Sequence, residues 1–188
     1  IVKTDSGKRL IENIDKVHNA DFSVIVYNFL DILSHARTET QIIRDLAEDE
    51  AAFRSLTRSW FEHSDLLELM RLLAERGHTI IITSDHGTIQ VDNPVRVQGD
   101  RATSSNLRYK TGRNLGFNQK EVFAITKPEL AHLPKSNITS TYIFAYNRDF
   151  FVYPNNTNQF VRYYNNTFQH GGISMEEMIV PFLVLKPR

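Results

Sequence analysis

A chain of 188 residues, 41% apolar and 11% aromatic, has the size of one ordinary globular domain, able to bury roughly 70% of its unfolded surface around one core. Its 22 basic and 22 acidic residues cancel, so no net field draws it toward nucleic acid or anionic lipid. It has no cysteine, which excludes disulfides and thiolate metal sites and leaves His, Asp and Glu as the strong metal ligands. The chain begins with Ile1, carries no signal-peptide pattern and has no apolar run near the roughly 18 residues a membrane span needs. It is read as a soluble, cytoplasmic piece of a longer protein.

In chain order, residues 8–18 place Leu10, Ile11, Ile14 and Val17 at helical spacing, and residues 23–27 (SVIVY) form a short apolar run of the buried-strand type. Between residues 46 and 76, Phe53, Leu56, Trp60, Leu67, Met70 and Leu73 recur at intervals of three, four and seven. The break at His63-Ser64-Asp65 makes two helices, and Asp65 with Glu68 resembles a capping box. Gly77 ends the second helix, and residues 79–83 (TIIIT) follow as another apolar strand. Strand, helices and strand make a βαβ unit, which predicts an α/β fold built on a mostly parallel sheet with flanking helices.

After residue 90 Gly, Asn, Ser and Thr rise, with short strands expected at 121–126 and 141–146 and an Asn-rich stretch at 155–167. This region, about 90–167, is read as an elaborated insertion rather than a second domain. The N-x-Ser/Thr triplets at Asn137, Asn155 and Asn165 are read as plain loop sequence. A helical turn at 174–178 and an apolar strand at 179–185 close the chain, with Pro181 marking an edge or a strand start.

Three short segments carry chemistry. Asp31 and His35, four apart, share a face if the segment after the first strand turns helical, and both then reach one metal ion; taken alone the pair is a weak signal, and a helix cap with a surface histidine is the competing reading. In residues 83–87 (TSDHG) a strand stops on Asp85 and His86, at the kind of strand end where open α/β sheets bind ligands. For either residue taken singly, an Asx turn or a half-buried histidine is the competing reading. His170-Gly171-Gly172 precedes the final turn and strand, and its glycines permit close backbone approach. Together these segments supply two carboxylates and three imidazoles, a donor set for zinc or manganese in a hydrolytic site.

DxxxH, then a strand ending in SDHG, then HGG before the last strand, resembles the order of metal ligands in the alkaline phosphatase superfamily. Within it, FQHGGISMEEMIVPF (168–182) is similar to the closing signature of PglZ domains. YNFLDILSHART (27–38) and TSDHGTIQVDNP (83–94) are similar to the PglZ effector half of PorX-type response regulators of type IX secretion. The resemblance spans essentially the whole chain. It implies an alkaline-phosphatase-like fold in which Asp31, His35 and His170 hold one metal and Asp85 and His86 the second.

It further implies in-line displacement at phosphorus, with two zinc ions, or manganese, about 3.5–4 Å apart flanking the attacking and leaving oxygens. The family's Thr or Ser nucleophile and one further aspartate precede the DxxxH motif. Neither is assigned to this chain, which is therefore read as the C-terminal part of the domain, lacking the nucleophile and a receiver domain and hydrolysing little by itself. The implied substrate is a phosphoester, such as a nucleotide or short oligonucleotide, cleaved by the output half of a two-component signalling protein. The implied partners are signalling proteins and a second copy of the chain in a homodimer. A metal-binding module without catalysis, working through protein partners, is the alternative reading; a mutase-like phosphotransferase is a third.

Residues 99–113 place four cations, several hydroxyls and Tyr109 in fifteen positions, which could grip phosphates and stack on a base; Arg108 and Lys110 are the substrate-binding candidates. A solvated loop is the competing reading. Phe117 and the Asn-rich stretch are candidates for the same rim. His18, His63, His78 and His132 lack a partner at ligand spacing, Trp60 is read as core packing between helix and sheet, and Glu176-Glu177 as the polar end of a short helix.

Overall fold

The computed structural model describes residues 1, 4–100, 103–135 and 137–187. The chain divides into two compact units: Ile1–Thr83 with Pro181–Arg188, and Ser84–Val180. Each has its own core.

In the first unit, the amphipathic stretch splits into α1 (Thr4–Glu12) and α2 (Ile14–His18) at Asn13, whose amide Nδ2 donates to the Arg9 carbonyl at 2.8 Å. The polar side chain competes for the helical carbonyl and breaks the run. Ile14 packs with Leu69 and Leu73, and Leu10, Ile11, Val17, Ile25 and Ile80 close around them. α3 (Phe29–Glu39) and α4 (Gln41–Leu46) follow, then α5 (Glu50–Glu62), capped by Asp49 accepting from the Ala52 N–H at 2.8 Å. α6 (Asp65–Glu75) begins after Ser64, not at an Asp65 cap. β1 (Ile80–Thr83) pairs antiparallel with β9 (Phe182–Leu185), Ile80 opposite Leu185 and Thr83 opposite Phe182.

The second unit is the stretch of chain between β1 and β9. β2 (Ile89–Val91) pairs antiparallel with β8 (Thr167–Gln169), and β3 (Asn93–Arg96) pairs parallel with β7 (Asp149–Val152). β4 (Tyr109–Arg113), β6 (Ser140–Ala145) and β5 (Val122–Ile125) form an antiparallel sheet in the order β4-β6-β5. α7 (Thr157–Tyr164) and α8 (Met175–Met178) complete it. β7 reads as a continuous apolar run because both faces are covered: Phe151 joins Val95, Val97, Val122 and Ile143, while Phe150 and Val152 join Ile89, Val91 and Leu107.

Two sequence expectations change here. The architecture is mixed α/β, but the sheets are small and mostly antiparallel, with β3–β7 the one parallel pair among the described residues. Residues 23–27 form no ladder; Ile25 turns into the helical core while Val24 and Val26 face outward, 72% and 60% exposed, so the run is anchored on one side only. The expected insertion, about 90–167, lies within the compact unit Ser84–Val180, whose strands carry two apolar clusters. Among the described residues no helix is long and apolar enough to cross a membrane.

Candidate functional site

In the first unit, the segment carrying Asp31 and His35 is helical, as α3. Trp60 of α5 stacks face to face on Phe29, ring centroids 4.2 Å apart and planes within 4°, which fixes the first turn two residues before Asp31. Trp60, read as core packing between helix and sheet, has Phe29 and Tyr27 as ring partners. Asp31 is exposed in that first turn, and helical geometry puts residue 35 one turn further along the same face. The side chain of His35 lies outside the described residues.

In the second unit, Asp85 and His86 occupy the loop that follows β1. The Asp85 carboxylate is 89% exposed; its Oδ1 accepts from the His86 backbone N–H at 3.1 Å and lies 3.8 Å from His86 Nε2. His86 Nδ1 sits 3.0 Å from the Gly87 carbonyl oxygen. A carbonyl only accepts, so Nδ1 carries a proton, and in the neutral ring Nε2 keeps the lone pair, one of the two tautomers through which a histidine ligates a metal. The His170 ring lies parallel to that of His86, centroids 3.8 Å apart and planes within 8°. Residues 84 positions apart thus present two imidazoles side by side next to a solvated carboxylate, a donor set that fits a divalent ion such as zinc or manganese.

Backbone geometry explains the glycines. Gly171 has φ +102°, and a Cβ there would come within 2.9–3.2 Å of the Asn106 amide and the Tyr109 ring. A Cβ on Gly87 would run into the Glu176 carbonyl, because the Gly87 N–H donates to the Glu177 carbonyl at 2.8 Å.

Arg108 and Lys110, expected to grip substrate, are instead both inside the protein. Arg108 is fully buried: Nε and Nη2 donate to the two Glu177 carboxylate oxygens at 2.8 and 2.7 Å, and Nη1 donates to the Tyr146 and Asp149 carbonyls. Glu177 is correspondingly buried and not on the polar face of its helix. Burial alone raises its carboxyl pKa, but the hydrogen bonds from Arg108, Ser174 and Gly172 and the Arg108 charge outweigh this and hold it below the ordinary carboxylate value.

Lys110 donates to the Ser104 carbonyl at 2.9 Å and lies 4.9 Å from the centre of the Tyr153 ring. Burial pushes its ammonium down to about 8. Lys110→Met is accordingly expected to remove a desolvation penalty of about 1–3 kcal/mol at pH 7, since each pKa unit corresponds to about 1.4 kcal/mol, offset in part by the lost hydrogen bond to the Ser104 carbonyl. From pH about 8 to about 10.5 the unfolded chain holds a proton that folded Lys110 has lost, so wild-type stability rises and the advantage of Met shrinks. Urea denaturation at pH 7 and pH 9.5 reads both effects.

The rest of the expected rim dissolves in the same way. Phe117 packs on the Val95–Ile143 core, and the Asn-rich stretch is largely α7, whose Phe160, Val161 and Tyr164 cover the other core. Arg101 lies outside the described residues. A cavity of about 440 Å³, lined by Ile89, Tyr146, Arg148, Ile173, Ser174 and Met175, opens instead beside the segment after the glycines. In the first unit, His18 and His78 prove to be partners, Nδ1 to Nε2 at 2.8 Å, although sixty residues separate them.

With this geometry in place, the comparison with known families is informative: the family model of the BREX system PglZ alkaline phosphatase-like domain matches residues 2–185. No curated protein matches the chain.

Proposed function

Because that match covers nearly the whole sequence, the chain belongs to the PglZ alkaline phosphatase-like family, and from this premise we propose that it carries metal-ligating residues of a phosphoester hydrolase. The observation that carries the reading is the pair of stacked imidazoles, His86 with Nδ1 committed to the Gly87 carbonyl and His170 beside it, with Asp85 adjoining. In this reading Asp31, His35 and His170 hold one divalent ion, and Asp85 and His86 the other. Such ions supply Lewis-acid stabilisation of charge on the phosphoryl oxygens.

The protein's own contribution is placement. The Gly87 carbonyl holds the His86 tautomer, and the glycines let each histidine-bearing segment lie close to what holds it, Gly87 against the Glu176 carbonyl and Gly171 against Asn106 and Tyr109. Zinc suits an imidazole and carboxylate set, with manganese a second candidate. The nucleophile, a Thr or Ser, is proposed to precede Asp31 and is not assigned among these residues. A nucleotide or short oligonucleotide is the proposed substrate, a reading that rests on the resemblance of the motifs. The finer proposal, an output domain of a response regulator in type IX secretion, rests on the motifs at 27–38 and 83–94 alone.

Elemental analysis of the full-length protein, with hydrolysis of a chromogenic phosphodiester followed on the same samples, tests the hydrolase reading. About two ions per chain and turnover abolished by chelation are expected. Bound metal without turnover would favour a catalytically silent module that signals through partners, and a metal-free protein would sink both. Phosphorylation of a linked receiver domain that leaves turnover and partner binding unchanged would remove the response-regulator reading.

A further inference from the structure

We propose that Glu177, held by Arg108, is the positioning residue that keeps His86 and His170 face to face. Its importance to metal binding rests on the reading above; the positioning itself does not.

Glu177 grips both histidine-bearing segments at once. Its backbone carbonyl accepts from the Gly87 N–H at 2.8 Å, one residue after His86. Its Oε1 accepts from the Gly172 N–H at 2.8 Å, two residues after His170. Oε2 accepts from Ser174 Oγ at 2.7 Å and from the Ser174 N–H at 3.2 Å, which turns the chain out of the glycines and into α8. The Arg108 guanidinium takes both oxygens in a fork and is itself fastened to the Tyr146 and Asp149 carbonyls at the start of β7.

The same residues hold the other side of the loop. Asn106 Oδ1 accepts from the Arg108 N–H at 2.7 Å, and Asn106 Nδ2 donates to the His170 carbonyl at 3.2 Å. The His170 loop is therefore clamped at its own carbonyl and at the Gly172 N–H, and both clamps trace back to Arg108.

A capping role alone does not account for this arrangement. Capping α8 requires only the Ser174 contacts, and neither a cap nor stability calls for a guanidinium with no exposed surface, since a buried ion pair is often matched by apolar side chains of the same volume. What apolar side chains cannot do is accept the Gly172 N–H and bind it to the core while the same residue's main chain fixes Gly87.

The test is imidazole NMR of the full-length, metal-free protein, with the two ring systems assigned through His86→Gln and His170→Gln. Rings this close give a cross-ring nuclear Overhauser effect and mutual ring-current displacement. Glu177→Gln keeps the size but removes the charge and one acceptor; Asn106→Ala cuts only the tie to the His170 carbonyl. Expected is loss of the cross-ring contact in Glu177→Gln and its weakening in Asn106→Ala, with the core methyl signals of Val91, Val95 and Val152 unmoved. An undiminished contact in folded Glu177→Gln would overturn the proposal, and should that variant not fold, an undiminished contact in Asn106→Ala would do so.

Cobalt(II) titration of the same samples, read by visible absorption, separates this inference from the metal reading. Weakening of about 10–100-fold in the variant, the range for losing a residue that orients a ligand, is expected. Identical cobalt spectra and affinities in wild type and Glu177→Gln would count against positioning. A wild type that binds no cobalt, with the ring contact still lost in the variants, would discard the metal reading and uphold the positioning role.

Discussion

Glu177→Leu is expected to lower the free energy of unfolding by about 3–5 kcal/mol, measured by urea denaturation at pH 7, because it strands the Arg108 charge where no water reaches it. The two side chains are 0% and 2% exposed, so solvent screening does little to soften the loss. Arg108→Met/Glu177→Leu should recover most of that stability, since the double change removes the uncompensated charge as well as the pair. It should not recover the histidine geometry, because Gly172 N–H then has no acceptor. Stability and positioning are thereby separable in one pair of variants.

The pH dependence has a definite sign. The folded carboxyl of Glu177 lies below its ordinary 4.5, so its contribution is complete above that value and is lost as pH falls through the lowered one. Wild type should lose stability on acidification below about 4.5 more steeply than the double variant. Equal slopes in urea denaturation between pH 3 and pH 7 would show that the pair does not carry the acid sensitivity.

What could be read from the sequence follows from the range of each interaction. Helical periodicity of α5 and α6, the apolar runs of β1 and β9 and the Gly-flanked motifs are local patterns, and the structure contains those elements where the patterns put them. Residues 23–27 read as a buried strand because pattern alone does not say whether a neighbour exists to complete the ladder. DFFV at 149–152 carried a legible strand signal that the polar texture around it obscured.

Arg108 and Glu177 were misread for a deeper reason. Charged residues are so seldom buried that composition assigns them to the surface, and their partnership joins positions 69 residues apart. One local clue existed: Ser174-x-x-Glu177 has capping-box spacing, and Glu177 does reach back to the Ser174 N–H. The Asp65–Glu68 pair has the same spacing, yet Ser64 is the residue at the cap there, so spacing alone did not choose between them. His18 and His78 are likewise paired only by the packing of α2 against the end of α6.

His170→Ala in the full-length protein is expected to reduce phosphodiester hydrolysis by more than about 100-fold and to lower bound metal from about two ions toward one. The lower bound follows from residues that merely orient a ligand: removing one of those already costs about 10–100-fold, and removing the ligand itself costs more. The fold should survive the change. The His170 ring is only half-buried, and the loop keeps its ties through the Asn106 amide to residue 170's carbonyl and through Glu177 to Gly172. Thermal denaturation close to wild type, together with lost metal and lost turnover, is therefore the expected combination. His86→Ala should behave alike in metal and turnover, since Nε2 of His86 is the nitrogen its bond to the Gly87 carbonyl leaves for an ion. If both variants retain full metal and full activity while remaining folded, the stacked imidazoles are packing and not ligands, and the hydrolase centre of this family member must be sought in other residues.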